Sequence, residues 1–344
     1  MYHPKSMQEN NKNSNAADFL KNLPVQAEEI GFKPDEMIQC QKCARANAPN
    51  RLNCMYCGAA LEISAEAALK IKPHLRKLEN WENGFNLIYS PPDENISAET
   101  ITQIAELVGL EREALQRIFD ARKPLPIVRC ETAREADILQ NRLRAAGLEI
   151  TVVADEKLAA ENLPKRLRRL EFQDDKILLI LFNNDEVEEI RAEDLILIVS
   201  GAIFQKAVES TEARKKGESK ILDATETASD ETLIDIYGKT NATGYRILTK
   251  GFDFSCLEAD KGILARENIK KLVAKLQSRA PHAKVVDDYL TIRNALGEIW
   301  EVEQRKDSQG LARQRFGKFD LSNISTSSNL QQFTKYSRLQ WHIL

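Results

Sequence analysis

The stretch Ile38-Gln-Cys40-Gln-Lys-Cys43-Ala-Arg-Ala-Asn47, with Asn53-Cys54-Met-Tyr-Cys57-Gly58 after it, decides how this 344-residue chain is read. It holds four of the six cysteines, while Cys130 and Cys256 stand alone. Clustered cysteines in a chain with no secretory signal read as metal ligands before disulfides. Each Cys-x-x-Cys folds as a tight knuckle that aims two sulfurs at one centre. Two knuckles supply four thiolates, the set for a tetrahedral structural Zn²⁺ with no position left for a catalytic water. An iron centre, a redox pair or four unligated thiols are the rival readings. Gly58 follows Cys57 where a knuckle often needs a positive φ, and Ala44 holds the matching place in the first knuckle. Asn47 is placed to brace the loop through its side chain. The block from Met37 to Ile63 is too short for an apolar core, since chains below ~40 residues usually need metal or disulfides. Metal binding is then its folding energy, on the order of 10–16 kcal/mol.

On these residues the block resembles the short zinc ribbons found at the ends of bacterial proteins, with two knuckles and an Asn four residues after the second cysteine of the first. It also has the spacing of the Ran-binding-protein-type finger, some members of which bind single-stranded RNA by stacking. Ile38 stands where those fingers carry Trp. Lys42, Arg45 and Arg51 against Glu62 are offset by a four-thiolate zinc centre, which leaves the ribbon near neutral.

Residues 1–36 are rich in Asn, Lys, Glu and Gln and read as a disordered leader with a short helical segment near Ala16–Leu23. They contain no apolar run of the secretory type. Residues 64–84 have the composition of a helical linker interrupted at Pro73. From 85 to 158 the pattern is strand, helix, helix, strand, helix, strand. Ser97 is an N-cap for a helix ended by Gly109. Thr132 with Glu135 is a capping box for a helix ended by Gly147. The entry strand Phe85-Asn-Leu-Ile-Tyr89, the junction Val108-Gly109-Leu110 and the run Arg134-Glu-Ala-Asp137 to Leu143-Arg-Ala-Ala-Gly147-Leu-Glu-Ile-Thr-Val152 resemble the C-terminal domain of the bacterial ribosomal stalk protein. That resemblance implies the same small α/β fold. In the stalk protein, Lys and Arg on the first helix meet translation GTPases. Here no Lys or Arg lies between Ser97 and Leu110, so the resemblance implies the fold without that surface.

Residues 164–310 read as short strands, with Glu209–Asp230 as a flexible insertion. The amphipathic run Lys261–Ser278 closes them, and a further helix lies within Asp287–Val302. That order resembles a pleckstrin-homology-like barrel plugged by its C-terminal helix. Residues 311–344 form a basic, aromatic tail with Arg313, Arg315, Lys318, Lys335 and Arg338 against Asp320. Anchoring to its own domain, disorder, a protein partner and nucleic acid all suit that composition. The expected fold class is therefore multidomain α+β: a zinc ribbon, a small stalk-like α/β domain and a β-rich, barrel-like domain closed by a helix.

A net charge of −3 argues against a polycation that coats nucleic acid. The longest apolar runs, Ile177–Phe182 and Leu195–Val199, are far short of the ~20 residues of a membrane span, so the cytoplasm is the expected compartment. The four histidines make no metal or triad pattern. Gly238-Lys-Thr240 lacks the earlier glycine of a phosphate loop, since Leu233 stands there. Cys130 and Cys256 read as buried core residues, and the adjacent acid pairs Asp174-Asp175, Glu188-Glu189 and Asp287-Asp288 as solvated turns. The basic run Lys165, Arg166, Arg168 and Arg169 reads as a solvated strand start or a phosphate contact. No catalytic residue is expected. The reading is a non-enzymatic zinc-binding adaptor that meets a protein partner. The alternative is an RNA- or ribosome-associated translation-related factor using Arg45, Arg51, Tyr56 and the basic tail.

Overall fold

The computed structural model describes residues 37–49, 51–62, 75–215, 218–315 and 318–344. The chain divides into two compact units, Met1–Ile71 and Lys72–Leu344. The expected leader, Ile63 at the end of the ribbon and residues 64–74 of the linker lie outside the described residues. Leu75–Glu82, expected to be helical, is irregular and ends in a turn.

The described part of the first unit is small. Strands β1 (Ile38–Gln39) and β2 (Ala46–Asn47) form an antiparallel hairpin. A bridge between Asn53 and Ala60 repeats that pattern around the second knuckle. Its buried residues are Cys40, Cys54, Leu61 and Asn47.

The second unit starts with β3 (Phe85–Ser90), α1 (Ala98–Val108), α2 (Arg112–Asp120), β4 (Leu125–Cys130), α3 (Ala133–Ala145) and β5 (Glu149–Ala154). The strands form an antiparallel sheet in the order β4-β3-β5. The local signals act as read. The Ser97 side chain accepts from the Thr100 N–H, and Gly109 ends α1 at φ 71°. Thr132 and Glu135 form a reciprocal capping box, and Gly147 has φ 86°. Ile104, Leu115, Ile118 and Leu139 from the helices pack with Leu87 and Ile127 of the sheet. After the single helical turn α4 (Asp155–Leu158), the chain enters the larger sheet.

That sheet is curled and runs β13-β14-β9-β10-β11-β6-β7-β8, with β12 beside β9. Its strands are β6 (Lys165–Phe172), β7 (Lys176–Leu181), β8 (Val187–Arg191), β9 (Leu195–Lys215), β10 (Glu218–Gly238), β11 (Tyr245–Leu248), β12 (Lys284–Val286), β13 (Glu303–Arg315) and β14 (Lys318–Ser328). The helices are α5 (Ala265–Arg279), α6 (Tyr289–Leu296) and α7 (Leu330–His342). The expected barrel is thus an open, curled sheet with α5 packed on it. The apolar run at the start of β9 is buried on both sides: Ile198 joins the core that holds Leu272 and Leu276 of α5, and Leu197 and Val199 join the core under the small sheet. A strand covered on both faces needs apolar side chains at consecutive positions.

One further expectation changes, and one open reading narrows. Of the expected flexible insertion Glu209–Asp230, residues 209–215 and 218–230 lie in the far halves of β9 and β10, each strand 21 residues long. Of the readings open for 311–344, anchoring is the one observed for its end: α7 is buried at nine consecutive residues, Gln332–Gln340. Phe333, Tyr336 and Leu339 share one core with Leu87, Ile127 and Trp300. The helix is enclosed in protein, and its Lys335 and Arg338 are 7% and 2% exposed.

Candidate metal centre

Both knuckles are built the same way. The Ala44 N–H bonds the Cys40 carbonyl at 2.8 Å, and the Gly58 N–H bonds the Cys54 carbonyl at 2.9 Å. Each turn ends in the left-handed region, at φ 55° for Ala44 and 70° for Gly58. Glycine adopts that conformation without strain and alanine does not. The first turn is held there by closure on the other side, where the Cys40 N–H bonds the Arg45 carbonyl at 3.0 Å.

These turns bring Cys40, Cys43, Cys54 and Cys57 together with every Sγ within 4.8 Å of the others. Cys40 and Cys57 approach to 3.6 Å, and Cys43 and Cys54 to 3.5 Å. A tetrahedral thiolate centre with metal–sulfur bonds of about 2.3 Å has sulfur–sulfur edges of about 3.8 Å. The four sulfurs therefore fit one four-coordinate ion, and among the described residues this is the one such group. Cys40 and Cys54 are buried, and Cys43 and Cys57 are half-buried.

Asn47 is the internal brace. It is fully buried. Its amide donates to the Arg45 carbonyl at 2.8 Å and to the Cys54 Sγ at 3.4 Å, and its oxygen accepts from the Met55 N–H at 2.9 Å. One side chain thus ties the first knuckle to the second and orients a sulfur, the role of an outer-shell partner. The Tyr56 N–H also donates to the Cys54 Sγ at 3.4 Å. Burial opposes ionisation of Cys54, but the N–H groups of Tyr56 and Cys57 and the Asn47 amide outweigh it and lower the thiol to about 6. At Cys43 the Arg45 N–H favours the thiolate, but burial and the three other sulfurs outweigh it and raise the thiol to about 12. A cation taken up here must therefore displace the Cys43 proton at neutral pH.

On the ribbon surface Met55 and Tyr56 are 58% and 51% exposed. The Arg45 guanidinium stacks 4.7 Å from the Tyr56 ring centroid. Arg51 is exposed as well.

The isolated cysteines and the basic run are occupied structurally, and Glu188-Glu189, expected in a solvated turn, lies on β8. Burial raises the Cys130 thiol to about 12 and the Cys256 thiol to about 11, which removes thiolate character from both. In the basic run, Lys165 pairs with Glu188, Arg168 with Asp185 and Arg169 with Glu171. Arg166 stacks on Phe182 at 3.7 Å and donates to the Lys250 carbonyl.

Sequence reasoning missed a buried polar junction in the second unit. Asp155 accepts from the Gly84 N–H at 2.9 Å, Asn86 at 3.0 Å, Arg129 at 2.6 Å and Lys335 at 3.3 Å. The Trp300 indole donates to Asn86 at 2.8 Å. These residues are scattered from 84 to 335 and share no local pattern that reveals the cluster. None of the described helices is long and apolar enough to cross a membrane. Compared with family models, curated proteins and solved structures, the chain matches none.

Proposed function

We propose that this chain is a non-enzymatic adaptor whose ribbon is organised by one structural Zn²⁺ held by Cys40, Cys43, Cys54 and Cys57. The observation that carries this is the closed set of four sulfurs within 4.8 Å. Four thiolates fill the coordination sphere and leave no place for a reacting water. Zinc suits the set because soft thiolates in tetrahedral array select it over magnesium, calcium or manganese. The exposed Met55–Tyr56 tip and the α+β body present the surfaces for protein contact. The stalk-like reading of 85–158 belongs to this proposal as a fold reading, supported by its strand-helix-helix-strand-helix-strand order.

The test is the metal content of the reduced full chain, followed by capture of partners from lysate with and without nuclease. One zinc per chain and partners that survive nuclease support the adaptor. Absence of stoichiometric metal, or iron in its place, overturns the metal reading. The second reading, an RNA- or ribosome-associated factor, draws on the exposed Arg45–Tyr56 stack. It loses support from the C-terminal cations, since Lys335 and Arg338 are enclosed. Binding that falls steeply with salt and vanishes on nuclease treatment would favour it.

A further inference from the structure

The large sheet has two long strands with an open side. β13 ends the sheet order, so its outer backbone groups meet no strand. β10 pairs with β11 only over Leu233–Ile236, which leaves the outer side of Glu218–Glu231 without a strand. On that outer side the Thr232 carbonyl accepts from the Thr249 N–H. Backbone groups alternate sides along a strand, so those of Asp230, Ala228, Glu226 and Ala224 point the same way. None of these four has a backbone partner there among the described residues.

The two open strands belong to one arm. Glu303–Leu311 of β13, Leu321–Ser328 of β14, Gln205–Glu212 of β9 and Ile221–Ser229 of β10 lie side by side in register. Ala224 to Ala228 are exposed at consecutive positions, and so are Gln304 to Ser308. Successive side chains point to opposite faces, so each edge strand is uncovered on both faces there. A sheet owes its stability to an apolar face or a packed helix, and these edges have neither at those positions. What they offer is unpaired backbone.

Edges are ordinarily blunted by shortness, proline or charge. β8, at the far end of the same sheet, is 5 residues long. Neither Glu218–Glu231 nor Glu303–Arg315 contains proline. Their charges differ in sign. Along the β10 edge Glu218, Asp223, Glu226, Asp230 and Glu231 stand against Lys220 alone. Along β13, Arg305, Lys306, Arg313 and Arg315 outnumber Glu303 and Asp307. Like edges repel and unlike edges attract. Strand direction agrees. Neighbours in the arm are antiparallel throughout, so β13 and β10 run in opposite directions. When two arms point the same way, β10 of one copy meets β13 of the next antiparallel.

We propose that this arm joins the chain to further copies of itself, with β10 of one copy pairing edge to edge with β13 of the next. The contact is head-to-tail, and it forms a ring when the rotation between copies closes. It uses the second unit alone and goes beyond the adaptor reading.

The test is the mass of the reduced, nuclease-treated full chain, by sedimentation over a wide range of concentration. A whole multiple of one chain's mass is expected. Ala228→Pro removes an outward N–H and spares the bonds to β9, because residue 228 turns its backbone groups away from β9. It should weaken association about tenfold or more. Diluted until both are monomeric, the variant and the wild type should melt together, which separates lost pairing from lost folding. Charge gives the second test. Asp223→Lys, Glu226→Lys and Asp230→Lys together make both edges basic, and Arg305→Glu with Lys306→Glu makes both acidic. Each of these chains alone should stay monomeric, and their equimolar mixture should associate, since each offers the other an unlike edge. A monomer at every concentration, association that ignores Ala228→Pro, or a mixture no more associated than its parts overturns the proposal. So does association that chelation abolishes, since the ribbon is then the contact. A metal-free chain that still associates leaves this proposal standing even if the zinc reading fails, and a metal-loaded monomer leaves the zinc reading intact.

Discussion

Asp155→Ala tests what holds α7 in place. The side chain sits at 5% exposure between the side chains of Arg129 at 6% and Lys335 at 9%. Burial works against its charge, but Lys335, the Asn86 amide and Arg129 outweigh it and hold its pKa below the ordinary carboxylate value. Burial lowers the Lys335 ammonium more than Asp155 raises it, so Asp155 is the member whose charge the surroundings favour. Removing it strands two buried cations, and breaking one side of a buried ion pair costs about 3–5 kcal/mol. Against a typical stability of about 5–15 kcal/mol, that is a large share. At about 2–4 °C per kcal/mol for a unit of this size, the melting temperature should drop by on the order of 10 °C. The assay is thermal and urea unfolding of the full chain followed by circular dichroism. Adding Lys335→Met should recover part of the loss, because it removes one of the stranded charges. The pH dependence has a definite sign. A depressed carboxylate contributes fully above its unfolded pKa of about 4, and the contribution is lost as pH falls through the lower folded value. The gap between wild type and Asp155→Ala should therefore narrow below about pH 4. A loss under about 1 kcal/mol with no effect of Lys335→Met would refute the account.

Three other outcomes follow from the packing. Asn47→Ala should lower metal affinity by about 10–100-fold in chelator competition, because the bonds orienting Cys54 are lost, and a change under twofold would count against the brace. Gly201→Ala places a Cβ against the Phe333 ring, so it should cost about 1–3 kcal/mol by overpacking, seen as a lower urea midpoint. Deleting Leu330–Leu344 uncovers Leu197, Val199 and Trp300 and should abolish cooperative unfolding of the body, with dye binding to exposed apolar surface, while the metal content per chain stays the same.

The elements that could be read in the sequence are those whose cause is local. Ser97, Gly109, the Thr132–Glu135 box and Gly147 act within one turn of where they stand, so the helices of 98–145 fall where the sequence puts them. The long arms of β9 and β10 were not legible. Residues such as Thr225, Glu226, Thr227 and Asp230 are exposed, so no alternation of apolar and polar side chains marks them as strand. For α7 the difficulty runs the other way. Gln332, Thr334, Lys335, Ser337, Arg338 and Gln340 give it the composition of a surface helix, yet all are buried. Their partners lie far away along the chain: Asp155 for Lys335, Tyr237 for Ser337 and the Leu158 carbonyl for Arg338.

By itself, the sequence determined the four-sulfur knuckles and the capped helices, because spacing and turn residues act between near neighbours. Tertiary structure alone decided that a polar C-terminal helix lies inside the molecule and that Asp155 meets Lys335 there. The physical reason is that burial of a polar side chain is decided by the partner that satisfies it, and here that partner arrives from a distant part of the chain.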